Sequence, residues 1–205
     1  MDEIPILLLA AGRSERMGQI KQLLPWGRDT LIAHQIRVLR KTGRPIYLVL
    51  GAHADRIIPL VESFPVEIVM NKEWEKGMGG SVASGVKRAM QVHPDAKGFM
   101  VALVDQPLIP AEHYVNMLQS FRTGFKSIVA SSSQSGLEGV PALFDAVYYK
   151  ELAALQGEAG AKKIIRAHRK NVIPLECEEI EEDMDTPEDY ERLHALYLQQ
   201  LFRKG

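Results

Sequence analysis

Short apolar runs alternate with amphipathic stretches along almost the whole chain. The apolar runs are rich in β-branched and large aliphatic residues, which predicts β-strands. They cover residues 4–10, 46–50, 66–70, 99–104, 127–130, 140–144 and 172–175. Several of them, such as ILLLA and MVALV, are apolar on both faces, as is typical of parallel strands covered by helices on both sides.

Helical periodicity fills the intervals between these strands. It predicts helices over 31–41, 55–63 (with Pro59 inside), 81–93, 111–122, 146–155 and 161–170. A last helix starts within TPEDYERLHALYLQQL, where Thr186 is the N-cap and Pro187 takes the first helical position. The alternation predicts an α/β fold, a three-layer α/β/α sandwich, with a single domain over residues 1–205.

Two polar segments interrupt this alternation. SSSQSGLEG, residues 131–139, has no periodicity, so we expect a mobile surface loop there. Residues 176–189 carry nine acidic side chains, most of which we expect to be solvated. Neither segment has the composition of a linker between domains.

The composition limits the partners that the chain can have. Its 205 residues carry a formal net charge of −1, so no overall charge attracts nucleic acid or an anionic membrane. MDEIPILLL has an acidic lead and too short an apolar run for a signal peptide or a membrane span, so we expect a cytoplasmic protein. Cys177 is the single cysteine, which excludes an intrachain disulfide and a cysteine-based zinc site.

The segment LAAGRSERMGQIKQLLP, residues 9–25, gathers cations and glycines after the first predicted strand. Open α/β sheets bind ligands beyond the carboxyl ends of their strands. Glycines let backbone N–H groups approach an anion, and Arg13, Arg16 and Lys21 add positive charge. The segment contains neither GxxxxGK followed by Ser or Thr nor GxGxxG. It therefore predicts a phosphate-binding loop of another kind.

A candidate metal ligand stands at the end of a second strand. Asp105 closes the run FMVALVD and precedes Gln106-Pro107, so its carboxylate is expected to project into the same crevice. Mg²⁺ prefers oxygen ligands, commonly one or two carboxylates together with substrate phosphates. No Ser, Cys or His constellation indicates a covalent intermediate, and His34 and His53 fit a core or surface role better than catalysis.

Several segments together carry a family resemblance. LAAGRSERMGQIKQLLPWG resembles the signature of the MobA-like nucleotidyltransferases, most closely their molybdenum cofactor cytidylyltransferase branch. Other segments agree in order: NKEWEKGMGGSVASGV, LVDQPLI, EGVPALFD, GEAGAKKII and MDTPEDY. The resemblance implies a Rossmann-like, mostly parallel sheet of the nucleotide-diphospho-sugar transferase type. It also implies Mg²⁺-dependent transfer of CMP from CTP to molybdopterin, with release of pyrophosphate.

The resemblance implies roles for individual residues. Arg13 and Arg16 would contact the β- and γ-phosphates and Lys21 the α-phosphate region; with Asp105 they form the implied catalytic set. Asp105 and Asp185 would be the metal ligands. The sequence LAAG, with Ala11, resembles the cytidylyl branch, whereas LAGG is typical of the guanylyl branch. The implied nucleotide-binding residues are Leu9, Ala10, Ala11, Gly12, Arg13, Lys21, Gly77, Gly79, Ser81 and Asp105.

The acceptor side is implied by EGVPALFD and GEAGAKKII. The candidate acceptor-binding residues are Gln106, Pro107, Gly139, Pro141, Phe144 and Lys162. The sequence departs from the family pattern here, because Gly139-Val140 stands where Arg or Gly-Asn often precedes the proline. Gly80 likewise stands where many members have Ser. These departures leave the identity of the acceptor more open than the type of reaction.

Alternatives to this function stay open. Guanylyl transfer to molybdopterin, or nucleotidyl transfer to a sugar or polyol phosphate, is compatible with Arg13, Arg16, Lys21 and Asp105. A non-catalytic cofactor-chaperone module is less favoured because Lys21 and Asp105 are both present, and a redox function lacks a dinucleotide fingerprint and a cysteine pair. The cytidylyl reading implies CTP and a molybdopterin-type acceptor as partners, and handover of the product to a molybdenum hydroxylase of the xanthine dehydrogenase family.

Overall fold

The computed structural model describes residues 3–136 and 138–203. Its strands are β1 (Ile6–Ala10), β2 (Pro25–Trp26), β3 (Asp29–Thr30), β4 (Ile46–Leu50), β5 (Glu67–Met70), β6 (Gly98–Leu103), β7 (Ile128–Ser132), β8 (Glu138–Asp145) and β9 (Val172–Glu176). Its α-helices are α1 (Leu31–Arg40), α2 (Ala54–Val61), α3 (Met78–Val92), α4 (Ala111–Ser120), α5 (Tyr149–Ala153), α6 (Lys162–Ala167) and α7 (Pro187–Arg203). Short 3₁₀ turns lie at Lys21–Leu23, Trp74–Lys76, Ala146–Tyr148, Arg169–Asn171 and Glu178–Glu181.

The central sheet has seven strands in the order β5-β4-β1-β6-β8-β7-β9. β1 pairs in parallel with β4 and β6, β4 with β5, and β7 with β9. β8 runs antiparallel to both of its neighbours, β6 and β7. The predicted, mostly parallel sheet is thus confirmed. The sequence pattern did not predict the reversed strand, because a strand buried on both faces has the same apolar run in either direction.

Helices cover both faces of the sheet. On one face Leu8 of β1 shares a core with residues of α1, α2, α4 and α7. On the other face its neighbour Leu7 shares a second core with residues of α3, α5 and α6. Successive strand residues point to opposite faces, so two continuous hydrophobic cores form the three-layer sandwich that the sequence predicts.

The segment 131–139 is only in part the surface loop that the sequence predicts, because residues 134–136 are exposed around a turn but both ends of the segment lie in strands. Ser131 and Ser132 continue β7, and Glu138 already begins β8. Ser131 is fully buried, and its hydroxyl donates to the carbonyl of Pro141 at 2.8 Å. Polar side chains hid the strand because their hydrogen bonds inside the sheet cannot be read from hydropathy. Leu137 lies outside the described residues.

The start of α7 follows its predicted capping chemistry. The Asp189 N–H donates to the Thr186 hydroxyl at 3.2 Å, and the Asp189 carboxylate accepts from the Thr186 N–H at 3.0 Å. This reciprocal pair fixes the point where the chain leaves Asp185 and enters the helix. Among the described helices, none combines the length and the apolar character needed to cross a bilayer.

Candidate active site

A cavity of about 640 Å³ opens where β1 and β6 end. The loop after β1 forms one wall, the segment around Trp74–Lys76 forms another, and Asp105 and Asp185 stand beside Lys21. Nine of the ten predicted nucleotide-binding residues line it: Leu9, Ala10, Ala11, Gly12, Arg13, Lys21, Gly77, Ser81 and Asp105. The position agrees with the general rule that α/β sheets bind ligands beyond the carboxyl ends of parallel strands.

Three carbonyls at the start of the loop accept hydrogen bonds from the protein. The side-chain amide of Gln22 donates to the carbonyls of Ala10 and Gly12, at 3.0 and 3.2 Å. The carbonyl of Ala11 accepts from the Ala52 N–H at 3.0 Å. The carbonyl of Arg13 lies 3.4 Å from His53 Nε2.

The N–H groups of the same turn are left available. In residues 3–136 and 138–203, the backbone N–H groups of Ala11, Gly12 and Arg13 find no protein acceptor. All three residues line the cavity. Backbone amides concentrated in this way attract anions without any net charge. The loop therefore suits a phosphate group.

Lys21 joins the two acidic residues of the site. Its ammonium lies 3.1 Å from Asp105 Oδ2, 3.1 Å from Asp185 Oδ1 and 2.9 Å from the carbonyl of Met184. Burial by itself would lower the pKa of Lys21, but the charges of Asp105 and Asp185 outweigh it and raise that pKa. Lys21 thus keeps a positive charge inside the cavity at neutral pH.

Arg13 is held at the mouth of the cavity by acidic neighbours. Its guanidinium contacts Glu15 at 3.0 Å and Glu75 at 3.1 Å, and lies 5.0 Å from the centre of the Trp74 ring. Half of its side chain is exposed. Exposed ion pairs of this kind contribute roughly 0–1 kcal/mol, so an incoming anion can replace the carboxylates at little cost.

Arg16 reaches the site from the far end of the loop. Its guanidinium donates to Asp185 Oδ2 at 2.8 Å, while 70% of its side chain is exposed. The structure therefore brings all four residues of the predicted catalytic set, together with Asp185, to one cavity. Ion pairs link Lys21 to Asp105 and Asp185, and Arg16 to Asp185.

The donor groups suit a divalent cation that is also bound by its substrate. Asp105 Oδ1 is buried and finds no hydrogen-bond partner within the described part of the chain, an arrangement that is costly unless a ligand completes it. Among the described residues, no three acidic, histidine or cysteine side chains come together to hold an ion. A pair of carboxylates such as Asp105 and Asp185 fits an ion like Mg²⁺, which usually takes only one or two carboxylate ligands from the protein and its other ligands from phosphates and water.

Gly79 is the one predicted nucleotide-binding residue that does not line the cavity. A Cβ added there would lie 2.8 Å from backbone atoms of Gln156, and its N–H donates to the carbonyl of Gly157 at 2.8 Å. Gly77 is similar, with a φ of 104° and an added Cβ only 2.5 Å from Gly157. Both glycines are needed for the close approach of α3 to the loop after α5.

The predicted acceptor residues divide into two groups. Lys162 and Gly139 lie together, since a Cβ on Gly139 would be 3.3 Å from Lys162 Cε. Gln106 donates to Asp183 Oδ1 at 3.0 Å. Burial, and then the charge of Asp105, raise the pKa of Asp183, against which the Gln106 hydrogen bond and Lys162 act. These residues form a polar group beside Asp105.

The other predicted acceptor residues are buried in the fold, as are Gln106 and Gly139. Phe144 is fully buried in the core under α3 and α5. Pro141 lies buried inside β8, and its carbonyl accepts from Ser131. Pro107 is buried, with its carbonyl 3.3 Å from His34 Nε2; burial lowers the pKa of His34. None of the six predicted acceptor residues lines the cavity.

Phe144→Ala is expected to lower the free energy of unfolding by about 3–5 kcal/mol, because it removes a fully buried ring. The KM for the acceptor should stay unchanged in the folded protein. Urea unfolding followed by steady-state kinetics measures both quantities. Phe125→Ala is the matched control, since Phe125 is 76% exposed. A Phe144→Ala variant with unchanged stability and a raised KM for the acceptor would show that Phe144 belongs to the binding site after all.

Sequence reasoning missed three residues that shape the site. Gln22 is 1% exposed and holds the loop. Asn71 is 4% exposed, and its amide donates to Ser81 Oγ at 3.0 Å, which orients a hydroxyl that lines the cavity. Asp183 pairs with Gln106. Gln22 directly precedes the apolar pair Leu23-Leu24, and a polar side chain at the edge of an apolar run is the signal that could have identified it.

Known proteins that are similar in sequence to this chain include nucleotidyltransferases. The MobA-like NTP transferase domain matches residues 6–172. Nicotine blue oxidoreductase of Paenarthrobacter nicotinovorans is 33% identical over 91% of this chain and 94% of that protein. A probable molybdenum cofactor guanylyltransferase of Opitutus terrae is 28% identical, covering 84% of each chain. The molybdenum cofactor cytidylyltransferase of Escherichia coli K12 is 22% identical over 93% of this chain and 95% of its own length.

Solved structures agree as well. Rv0371c of Mycobacterium tuberculosis H37Rv superimposes with a TM-score of 0.82 at 30% identity, covering 95% of this chain and 98% of its own. Its complex with manganese gives a TM-score of 0.78 at 28% identity over 94% and 98% of the two chains. From the matched domain, and from a relative one-third identical over nearly the full length, the chain belongs to the MobA-like NTP transferase family.

Proposed function

We propose that this chain is a Mg²⁺-dependent cytidylyltransferase that moves CMP from CTP to the phosphate of a molybdopterin-type acceptor and releases pyrophosphate. Membership of a nucleotidyltransferase family supports the type of reaction. The observation that carries the proposal is the loop after β1, whose carbonyls are engaged and whose N–H groups are left toward a cavity that also holds Lys21 and two aspartates.

The bond changes of the reaction need no covalent intermediate. An acceptor phosphate oxygen attacks the α-phosphorus of CTP, a new P–O bond forms, and the bond to the β-phosphate oxygen breaks. The electron pair of that bond leaves with pyrophosphate. A phosphate monoester is already an anionic nucleophile near neutral pH, so no strong general base is required. Catalysis then rests on positioning and on electrostatic stabilisation.

The cations of the cavity fit the charges that change. Arg13 and Arg16, at the exposed end of the site, would neutralise the β- and γ-phosphates as they become pyrophosphate. Lys21, fixed between Asp105 and Asp185, would stabilise the charge at the α-phosphate. The N–H groups of the loop would bind the phosphate oxygens in the same way as other backbone anion sites.

Asp105 and Asp185 are the residues that would hold Mg²⁺. When bound, Mg²⁺ would supply a Lewis acid that polarises the phosphate oxygens and counters their charge. The manganese complex of the M. tuberculosis relative supports a divalent cation in this family. The chain's own contribution is to keep both carboxylates close together through their shared contact with Lys21.

The choice of cytosine rests on Ala11. This residue is 6% exposed and lines the cavity. Ala11→Gly is expected to raise the ratio of kcat/KM for GTP over CTP about tenfold, because a single methyl group is worth roughly that much in a closed pocket. The ratio of the two constants is independent of the folded fraction. An unchanged ratio would remove the basis for cytosine selection at this position.

Guanylyl transfer is the second candidate function. It is supported by the guanylyltransferase relative, whose identity to this chain exceeds that of the E. coli cytidylyltransferase. Both reactions use the same phosphate-binding loop and the same carboxylates, so only the nucleobase pocket distinguishes them. The comparison of CTP with GTP therefore decides between the two.

A redox function is raised by the name of the nicotine blue oxidoreductase relative. The residues of this chain give it less support. Cys177 is buried, and burial raises the pKa of its thiol to about 12, which leaves the thiol unreactive at neutral pH. The chain also lacks the GxGxxG fingerprint. Consumption of NADH or NADPH with no release of pyrophosphate would favour the redox function.

The acceptor is proposed to lie beside Asp105. Lys162, Gly139, Gln106 and Asp183 lie near this side of the site, outside the lining of the cavity. A lysine suits the phosphate of a molybdopterin-type acceptor, and the amide and carboxylate suit a pterin ring. Handover of the finished dinucleotide to a molybdenum hydroxylase would follow in the cytoplasm.

Release of pyrophosphate tests the proposal. Protein, Mg²⁺ and molybdopterin are combined with CTP, GTP, ATP or UTP, and each reaction is repeated without the acceptor. We expect release with CTP that requires molybdopterin. Release with GTP instead would favour the second candidate. Binding of CTP without turnover on any tested acceptor would contradict a transferase acting on molybdopterin.

A further inference from the structure

Gln22 is buried beneath the phosphate-binding loop. It stands in the 3₁₀ turn Lys21–Leu23, and only 1% of it is exposed. Its Nε2 donates to the carbonyls of Ala10 and Gly12, so both of its N–H bonds are used inside the protein. Its Oε1 accepts from the Ser14 hydroxyl at 3.4 Å. Gln22 therefore has no donor left for a substrate.

The two carbonyls that Gln22 binds determine where two N–H groups point. A trans peptide unit is planar, so the C=O of one residue and the N–H of the next point in opposite directions. Holding the Ala10 carbonyl toward Gln22 turns the Ala11 N–H away from it. Holding the Gly12 carbonyl does the same for the Arg13 N–H. These are two of the three N–H groups of the loop that find no acceptor within residues 3–136 and 138–203.

We infer that Gln22 is the positioning residue that sets the affinity of the loop for phosphate. The inference rests on the proposed function, because it concerns the loop that would bind the nucleotide triphosphate. Without the Gln22 amide, the carbonyls of Ala10 and Gly12 lose their shared donor. Each peptide unit can then rotate and present a partial negative charge to the cavity, which opposes anion binding.

The contacts of Gln22 separate this role from a general contribution to stability. Its hydrogen bonds all go to the loop: to Ala10, Gly12 and Ser14. The Lys21 N–H also donates to the Ser14 hydroxyl at 3.3 Å, so the same network sets the start of the turn that carries Lys21. Ser14 itself has a φ of 60°, a strained conformation for a non-glycine residue that this network supports.

The binding of inorganic tripolyphosphate tests the inference without metal and without catalysis. Calorimetric titration in EDTA compares the full-length wild type with Gln22→Leu, which keeps the bulk and removes the amide. We expect the Kd to rise about tenfold or more, as for a lost pair of buried hydrogen bonds. His113→Leu is the matched control: His113 is 5% exposed and bonds Ser131 at 2.8 Å, and it does not line the cavity.

Two results would overturn the inference. One is a folded Gln22→Leu variant with a Kd within twofold of the wild type. The other is an equal loss of affinity in His113→Leu, which would reduce the effect to general destabilisation. If wild-type protein binds neither tripolyphosphate nor CTP, the proposed function fails with it. If turnover is retained while Gln22→Leu binds tripolyphosphate normally, only the inference fails.

A second measurement uses the wild type alone and does not depend on the variant folding. In ¹⁵N-labelled protein, tripolyphosphate is expected to shift the amide resonances of Ala11 and Arg13 downfield, as new hydrogen bonds form. The amide of Ala52 serves as the reference, because it already donates to the Ala11 carbonyl. Saturation with tripolyphosphate that leaves the Ala11 and Arg13 amides unshifted would overturn the inference.

Discussion

Asp105→Ala is expected to lower kcat by at least about a thousandfold, because metal-held charge stabilisation is worth several kcal/mol. One oxygen of Asp105 is buried with no hydrogen-bond partner in the part of the chain that the structure describes, and the other lies 3.1 Å from Lys21 Nζ. The substitution therefore removes the proposed metal ligand and one of the two counter-charges of Lys21. Steady-state release of pyrophosphate at saturating CTP and Mg²⁺ measures the loss.

The fold should survive this substitution, since Asp105 is only partly buried. Asp29→Ala is the matched control, because Asp29 is a partly exposed aspartate paired with Arg37 on another surface. Titration of Mn²⁺ by electron paramagnetic resonance, with CTP present, gives a readout besides turnover and should show weaker binding for Asp105→Ala alone. Substantial Mg²⁺-dependent turnover in a folded Asp105→Ala variant would contradict the proposal that Asp105 is a metal ligand.

Lys21→Ala is expected to lower kcat by about a hundred- to a thousandfold, the usual effect of removing one preorganised donor at a developing charge. The KM for CTP should rise less, because the loop amides and Arg13 remain. The variant also leaves Asp105 and Asp185 without the ammonium that they share. Separate determination of kcat and KM over a range of CTP concentrations measures the two effects.

Lys87→Ala controls for the loss of a positive charge, since Lys87 lies exposed on α3. Lys21→Arg is expected to recover little activity, because a planar guanidinium cannot reproduce three short contacts from one nitrogen. A Lys21→Ala variant that keeps kcat and loses only affinity for CTP would show that Lys21 binds the ground state and the transition state equally.

Local patterns in the sequence predict much of the fold. The apolar runs identify β1, β4, β5 and β6 to within about two residues. In the sheet β1 lies next to β6, so their carboxyl ends are neighbours. That is sufficient to bring Asp105 to the loop after β1. The N-cap at Thr186 is equally local and was predicted from residue types, and the structure adds Asp189 as its reciprocal partner. Patterns of this kind depend on near neighbours alone.

Pairings between distant segments were less accessible. The reversed direction of β8 and the burial of Ser131 depend on strand partners that hydropathy does not identify. The contact of Lys21 with Asp185 joins residues 164 positions apart, and only the family resemblance brought Asp185 to the site. Sequence patterns did not identify Gln22, because its side chain binds two backbone carbonyls. Every residue has a backbone carbonyl, so no residue type in the sequence marks the partners of Gln22.

The most direct test of nucleotidyl transfer follows the label of the nucleotide. Protein and Mg²⁺ are incubated with molybdopterin and either α-³²P- or γ-³²P-labelled CTP, and the products are separated. Nucleotidyl transfer predicts that the α-label enters the molybdopterin product and that the γ-label appears in pyrophosphate. Transfer of the γ-label to the acceptor, or release of both labels as free nucleotide and phosphate with molybdopterin unchanged, would contradict it.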